Sequence, residues 1–440
     1  MMAPLRRILL LLLLFFIFSA AGPSSSAARK PHGFTLKVAK QLDFIFNLYY
    51  VNIQVGTSPS LSVNLVLDLA SQFPWFDCSE ARYNSSSYRP FSFASPKCKL
   101  VKNAVPWDCP LPSGVPVPLG CFNNSCGVYP FDYVETRFYM GSLGEDIMNL
   151  PATPAGGPRL DAPPLVFSCG QPGAFYPYRA SSRGLLGLSK NVLSLPMQLT
   201  SAFKLPRKFA LCLPSKLIDS GETGSLFIGG GPYSLPPYNG DASNLFFTAP
   251  LLINPVSTAE PRVKGAPSDE YFLDVTSIEI DGESFPFKKS LLSIDKKGNG
   301  GTKLATTTHT TIMHGSVFEP FVRAFKAKAK ARKMVEVPGL AGYGGCFDAK
   351  NIRMGITGPD VPVIDLVLKS GGKWRIYGSN SMVLETDRWC LGVSNAGREY
   401  SRHAMVIGGL ALEDNLLEFD LEASNLRFTS SLLLHKTSCT

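Results

Sequence analysis

Tyr49-Tyr50-Val51-Asn52-Ile53-Gln54-Val55-Gly56-Thr57-Ser58-Pro59, followed by Val66-Leu67-Asp68-Leu69-Ala70-Ser71, decides how this 440-residue chain is read. Tyr49 to Gly56 and Ser62 to Asp68 alternate or run apolar with β-branched residues. Thr57-Ser58-Pro59-Ser60 separates them, so they predict a β-hairpin whose second strand ends on an acid in a turn. A fainter echo stands in the second half, where Gly300-Gly301-Thr302-Lys303-Leu304 leads into Ala305-Thr306-Thr307-Thr308. Two similar strand-to-turn units, one per half, imply a duplicated β architecture with a cleft between its lobes.

Short strand-like runs continue at Pro164 to Ser168, Phe209 to Leu213, Ser225 to Ile228, Tyr271 to Ile280, Val363 to Leu368 and Met405 to Ile407. Helical signals are few. Phe318, Phe321, Val322 and Phe325 fall at i, i+3, i+4 and i+7 and predict an amphipathic helix. Arg323, Lys326, Lys328, Lys330, Arg332 and Lys333 then form its wet face, which is a plainer account of this basic stretch than a nucleic-acid stripe. The fold class is mostly β. Residues 152–164, 233–239 and 249–266 are rich in Pro and small or polar residues. The boundary is placed near residue 255, with one β lobe over 40–255 and a second over 266–440.

The composition agrees. With 45% hydrophobic and 18% charged residues the chain is too apolar for disorder, and Gly 39 with Pro 35 suits a turn-rich β protein. Arg6 and Arg7 precede an apolar run from Ile8 to Phe18 and small residues up to Gly22, the order of a cleaved signal peptide over 1–22. The apolar run is about eleven residues, short of the roughly 20 that span a bilayer. Ten cysteines fit a secreted chain. Two sequons, at Asn84 and Asn123, would be glycosylated on the secretory route. Loss of Arg6 and Arg7 lowers the formal charge from +9 to +7, which favours acidic cell-wall polysaccharide as a diffuse partner. No cofactor, nucleic-acid partner or membrane association is expected, and a monomer is.

The opening hairpin resembles the start of the pepsin-like aspartic proteases. Gly184-Leu185-Leu186-Gly187-Leu188, Gly224-Ser225-Leu226-Phe227-Ile228-Gly229-Gly230, Gly300-Gly301-Thr302-Lys303-Leu304 and Val406-Ile407-Gly408-Gly409 look like the same family in the same order. The resemblance implies a bilobal fold with a central cleft and few short helices. Its chemistry needs two carboxylates sharing a proton around one water, each in an Asp-Thr/Ser-Gly turn. Here the first turn reads Asp68-Leu69-Ala70, and Ala305 replaces the second acid. One carboxylate forms no dyad, so Asp68 reads as a relic. Tyr139 lies near the place of the flap tyrosine, but Arg137-Phe138-Tyr139-Met140-Gly141 departs from the usual pattern.

A plant subfamily shares this degeneration: basic seven-S globulins, extracellular dermal glycoproteins, and xyloglucanase and TAXI-type xylanase inhibitors. The chain is similar to them at Leu65-Val66-Leu67-Asp68-Leu69-Ala70, Trp75-Phe76-Asp77-Cys78, Phe209-Ala210-Leu211-Cys212-Leu213-Pro214-Ser215 and Gly229-Gly230-Gly231-Pro232. Those proteins usually carry twelve cysteines, so a bridge of the amino-terminal loop region, between Cys98 and Cys126, is expected to be missing. Spacing alone fixes no pairing among Cys78, Cys98, Cys109, Cys121, Cys126, Cys169, Cys212, Cys346, Cys390 and Cys439. The resemblance implies Cys346 with Cys390, and Cys439 tied back to the body. A zinc site of Cys109, Cys121 and Cys126 is the alternative, and disulfides are preferred.

The chain ends Leu434-His435-Lys436-Thr437-Ser438-Cys439-Thr440. In the TAXI-type inhibitors a histidine four residues before the last cysteine enters the xylanase active site, and His435 has that spacing. A retaining glycosidase holds two carboxyl groups about 5–5.5 Å apart, and an imidazole with a nitrogen on each side can engage such a pair. The plainer reading is a tail histidine with no role, and Lys436 departs from the aromatic residue expected there. His309 and His314 are not spaced as a zinc pair on one helix face and are placed in the vestigial cleft. The resemblance therefore implies a secreted, proteolytically inert inhibitor of microbial glycoside hydrolases. Endo-1,4-β-xylanases are the first expected target, in plant defence at the apoplast and cell wall. An active aspartic endopeptidase and a seed or wall globulin that binds peptides or glycans are the competing readings.

Overall fold

Eleven strands position the site, here numbered in chain order: β1 (Phe34–Asp43), β2 (Phe46–Val55), β3 (Leu61–Asp68), β4 (Gly184–Gly187), β5 (Lys208–Cys212), β6 (Gly224–Ile228), β7 (Phe247–Leu252), β8 (Thr302–Leu304), β9 (Met405–Ile407), β10 (Leu416–Asp420) and β11 (Asn425–Phe428). The computed structural model describes residues 31–43, 46–57, 60–78, 81–109, 119–132, 136–151, 160–161, 163–171, 184–399 and 402–440. The leader-like residues 1–22 and most of the segment 152–164 lie outside the described residues. Residues His32–Thr440 cluster as one unit. Within it the fold is mostly β, bilobal and pepsin-like.

The hairpin is present: β2 and β3 pair antiparallel, with Tyr50 opposite Val66 and Val55 opposite Leu61. Val63, Leu65 and Leu67 on one face of β3, and Val66 on the other, are all buried. A strand covered on both faces reads as a continuous apolar run, which β3 does toward its end. β1, which carries no turn signal at its start, pairs with β2 through Val38 and Val51 and with β6 through Leu36 and Leu226.

The internal echo is structural. β4 lies parallel to β3, with Leu186 opposite Leu67 and Gly187 opposite Asp68. β9 lies parallel to β8 in the same way, with Leu304 opposite Ile407. At the ends of these pairs, Leu188 N–H donates to the Asp68 carbonyl at 2.8 Å and Ala305 N–H to the Ile407 carbonyl at 3.0 Å. The two motif glycines lie where the turns pass closest. A Cβ on Gly187 would sit 2.7 Å from the Ser71 carbonyl oxygen, and one on Gly408 only 2.3 Å from that of Thr310.

The halves share one antiparallel sheet. β6 pairs with β5, β5 with β10, β10 with β11 and β11 with β7. Phe209 of β5 stacks on Phe419 of β10 at 4.6 Å, and Tyr271 closes on Phe419 at 4.5 Å. The basic stretch forms a helix, α1 (Gly315–Ala331), with Phe321 and Phe325 buried and Phe318 and Val322 packed against the core. Lys328 pairs with Glu283, and Arg332 with Asp281 and Asp360. No helix of the described residues is long and apolar enough to cross a membrane.

Gly408→Ala forces a methyl against backbone oxygen and is expected to cost about 1–3 kcal/mol. Gly372→Ala, where an added Cβ meets nothing within 4 Å, should change stability by less than about 0.5 kcal/mol. Urea unfolding of the two variants beside the parent checks the contrast.

Candidate functional site

Asp68 ends β3 and is 1% exposed. The turn after it folds back on its own carboxylate. Ala70 N–H donates to one oxygen at 2.9 Å, Ser71 N–H to the other at 3.1 Å, and the Ser71 hydroxyl donates to that second oxygen as well. Burial raises the carboxyl from its ordinary 3.8 to about 6, with the Ser71 hydroxyl and the Ala70 N–H pulling it back down. Leu69, in the place of the hydroxyl residue, is buried.

The opposite turn keeps one working part. The Thr306 hydroxyl crosses the middle of the molecule and donates to the Leu67 carbonyl at 2.6 Å, in full burial. Ala305 presents a methyl where the second acid would stand. The acid nearest in influence is Glu270, and it is held by Lys303 at 2.5 Å and by the hydroxyls of Ser268, at 2.9 Å, and Thr258. Among the described residues no carboxylate hydrogen-bonds to Asp68. Tyr139 is buried, with its ring 4.8 Å from that of Trp75.

The histidines separate. His309 meets Asn47 of β2 at 3.2 Å, and burial with Lys40 nearby lowers its imidazole to about 4. His314 does not sit in the cleft as the sequence suggested. It caps α1, its Nδ1 accepting from Ser316 N–H at 3.1 Å and its Nε2 lying 3.1 Å from the Arg398 carbonyl. The signal was available: a residue able to accept at its side chain immediately precedes the apolar period of α1.

His435 ends a short 3-10 turn, Leu432–His435, and is exposed. The turn is fixed on both sides. Leu432 N–H donates to the Asp414 carbonyl at 2.9 Å, Cys439 N–H to the Asp414 carboxylate at 2.9 Å, and the Thr437 hydroxyl to the Leu235 carbonyl at 2.8 Å. Cys439 is bonded to Cys212 of β5. The His435 ring lies edge-on to Tyr238 at 6.3 Å.

The remaining disulfides are Cys78–Cys169, Cys98–Cys126, Cys109–Cys121 and Cys346–Cys390. The expectation of a missing bridge between Cys98 and Cys126 is therefore wrong: β-pairing and the short 3-10 turn at Cys98–Leu100 bring these two together in the core. The three cysteines weighed as zinc ligands are divided between two disulfides. Asn84 and Asn123 are both exposed.

Sequence reading missed a further contact between halves. Lys40 of β1 and Tyr49 of β2 reach Glu413 in the second half, the ammonium at 2.6 Å and the phenol donating at 2.5 Å. All three are buried. Glu413 is raised to about 7, burial outweighing the nearby ammonium. Nothing local marks these residues, because their partners lie hundreds of positions apart.

Two strand-to-turn units facing each other across a joint, one still bearing its aspartate, define the class: a pepsin-like aspartic protease fold. Family models described as "Xylanase inhibitor N-terminal" and "Xylanase inhibitor C-terminal" match residues 49–230 and 270–430. The chain belongs to this xylanase-inhibitor family. It is 37% identical over 414 residues to "Probable aspartic proteinase GIP2" of Nicotiana benthamiana, covering 93% of this chain and 91% of that one. It is 30% identical to "Basic 7S globulin" of Glycine max, over 91% of this chain and 89% of that one. The crystal structure of edgp superposes with a TM-score of 0.86 at 35% identity, covering 93% of this chain and 97% of that one. That of basic 7S globulin from soybean does so at 0.74 and 28%, with the same coverage.

A carboxyl whose pKa is higher folded than unfolded binds extra proton in the native state. Its contribution is full below the unfolded value and is lost as pH rises through the folded one, here about 6. The parent therefore gains from Asp68 as pH falls from 7.5 to 4.5, and Asp68→Asn does not. The stability of the variant relative to the parent should worsen by about 2 kcal/mol over that interval. Urea unfolding at both pH values measures it, and a constant difference would return Asp68 to an ordinary pKa.

Proposed function

We propose that this protein is a secreted, proteolytically inert inhibitor of microbial glycoside hydrolases, endo-1,4-β-xylanases first, acting in plant defence in the apoplast and cell wall. His435 is the group that enters the hydrolase active site. The observation that carries the reading is the anchoring of His435: an exposed imidazole on a turn held by a disulfide and by Asp414. Such a turn loses little freedom on binding, and preorganisation of this kind raises affinity. The family description supports the target class. The five disulfides support an oxidising compartment. In this reading Asn84 and Asn123 carry glycans, the lobes run over 40–255 and 266–440, and the protein works as a monomer with a weak attraction to acidic polysaccharide.

Inertness rests on Ala305. A peptide hydrolysis needs a second group to hold the proton that the water gives up, and the Asp68 oxygens are already occupied by Ser71 and Ala70. The name of the Nicotiana benthamiana relative favours a second reading, an endopeptidase working through Asp68. The globulin names favour a third, a seed or wall protein that binds peptides or glycans.

The test is a panel of family-eleven xylanase, xyloglucanase and polygalacturonase, together with acid proteolysis of an unfolded substrate. Inhibition of the xylanase is expected, and His435→Ala should weaken it about 100-fold, the size of an interface hot spot. Inhibition untouched by that change would remove His435 from the mechanism. No cleavage is expected between pH 3 and 5. Cleavage abolished by Asp68→Ala would install the peptidase reading instead.

A further inference from the structure

Beside His435 lies a depression of about 330 Å³. Phe247 and Leu434 line it, each about half exposed, together with Lys373, Arg375 and Ser431. Three properties of these residues point the same way.

The first is charge. Lys373 pairs with Glu279 at 2.6 Å and Arg375 with Asp365 at 2.8 Å, so the sums cancel, but the two signs are not equally placed. The cationic side chains are 40% and 46% exposed, the acids that hold them only 19% and 3%. The counter-charges lie beneath, and the surface offered to a partner is positive. The second is a donor without an acceptor. Ser431 is buried, and its hydroxyl has no hydrogen-bond partner. That is a desolvation cost left unmet in the wall of the depression. The third is apolar surface. Phe247 and Leu434 would cover the methylene stem of a side chain whose polar end reaches inward.

A carboxylate on a short apolar stem satisfies all three. We propose that the depression is a second docking point for the hydrolase, and that it receives an aspartate or glutamate from the acidic lip of the cleft that His435 enters. This inference rests on the reading of His435 above. Glycoside hydrolase clefts are built around carboxyl groups, so an exposed imidazole beside a positively rimmed hollow is complementary to such a mouth in charge.

Ser431→Ala is the discriminating variant, because it removes no internal hydrogen bond and should leave the unfolding temperature unchanged. Calorimetric titration uses whichever hydrolase of the panel the parent inhibits most strongly. Ser431→Ala is expected to weaken binding about tenfold or more. Phe247→Ala should weaken it severalfold, and the parent's association rate should fall as salt is raised. Binding by Ser431→Ala and Phe247→Ala equal to the parent's, with His435→Ala still defective, would overturn the docking point and leave the His435 reading standing. Loss in Ser431→Ala with His435→Ala intact would uphold the docking point and overturn the role of His435. Should the parent bind no hydrolase, and Ser431→Ala instead lose binding to an oligogalacturonide probe, both are overturned in favour of a glycan site.

Discussion

The hydrogen bond from the Thr306 hydroxyl to the Leu67 carbonyl spans the joint on which the rest of the molecule is built. Leu67 is the next-to-last residue of a strand buried on both faces toward its end, so its carbonyl cannot turn to water and must find a donor. The donor comes from 239 residues away, out of the other half. In the opposite direction Leu69 has no hydroxyl to return, so the joint is one-sided. Lys40, Tyr49 and Glu413 supply a further link, and the Tyr271 hydroxyl adds another by donating to the Leu188 carbonyl at 2.7 Å.

The electrostatics of the joint follow from its dryness. Burial raises the carboxyls of Asp68, Glu413 and Asp414 and lowers the imidazoles of His309 and His403, the two imidazoles to about 4. The acids make the native state firmer as pH falls through 7 and 6. The histidines do the reverse, because an imidazole kept neutral when folded loses ground once the unfolded chain takes up its proton. Below about pH 6 the two effects oppose each other. A dyad of carboxylates would have added a charge problem of its own, two acids forced to share a proton, and Ala305 removes it.

Most of the fold was legible because its deciding elements are short and local. The hairpin at β2 and β3, the glycines at 187 and 408 and the period of α1 each leave a mark within about ten residues. Long-range partners leave none: β1 carries no local signal because its mates are β2 and β6, and Lys40 looks like any strand lysine until Glu413 is beside it. Counting cysteines against relatives leaves out the Cys98–Cys126 bridge, because only geometry shows that the two meet. Nearness to His309 in the chain suggests the cleft for His314, although its position ahead of an apolar period marks a helix cap.

What remains at the centre explains why the proposed activity sits at the edge. The Asp68 carboxylate accepts three hydrogen bonds from its own turn, so its charge is spent on holding that turn. A group so engaged can bind little else without dismantling the strand end that carries it. The carboxyl-terminal turn has the opposite character. Its backbone is fixed by Asp414 and by the bond to Cys212, while the His435 ring is left to solvent. Recognition favours rigid backbone beneath free functional groups, since the entropy of ordering is then lost in folding rather than in binding. The Asp68 turn in the core and the His435 turn at the surface are thus held by the same device, a carboxylate that accepts backbone N–H groups from the turn it steadies.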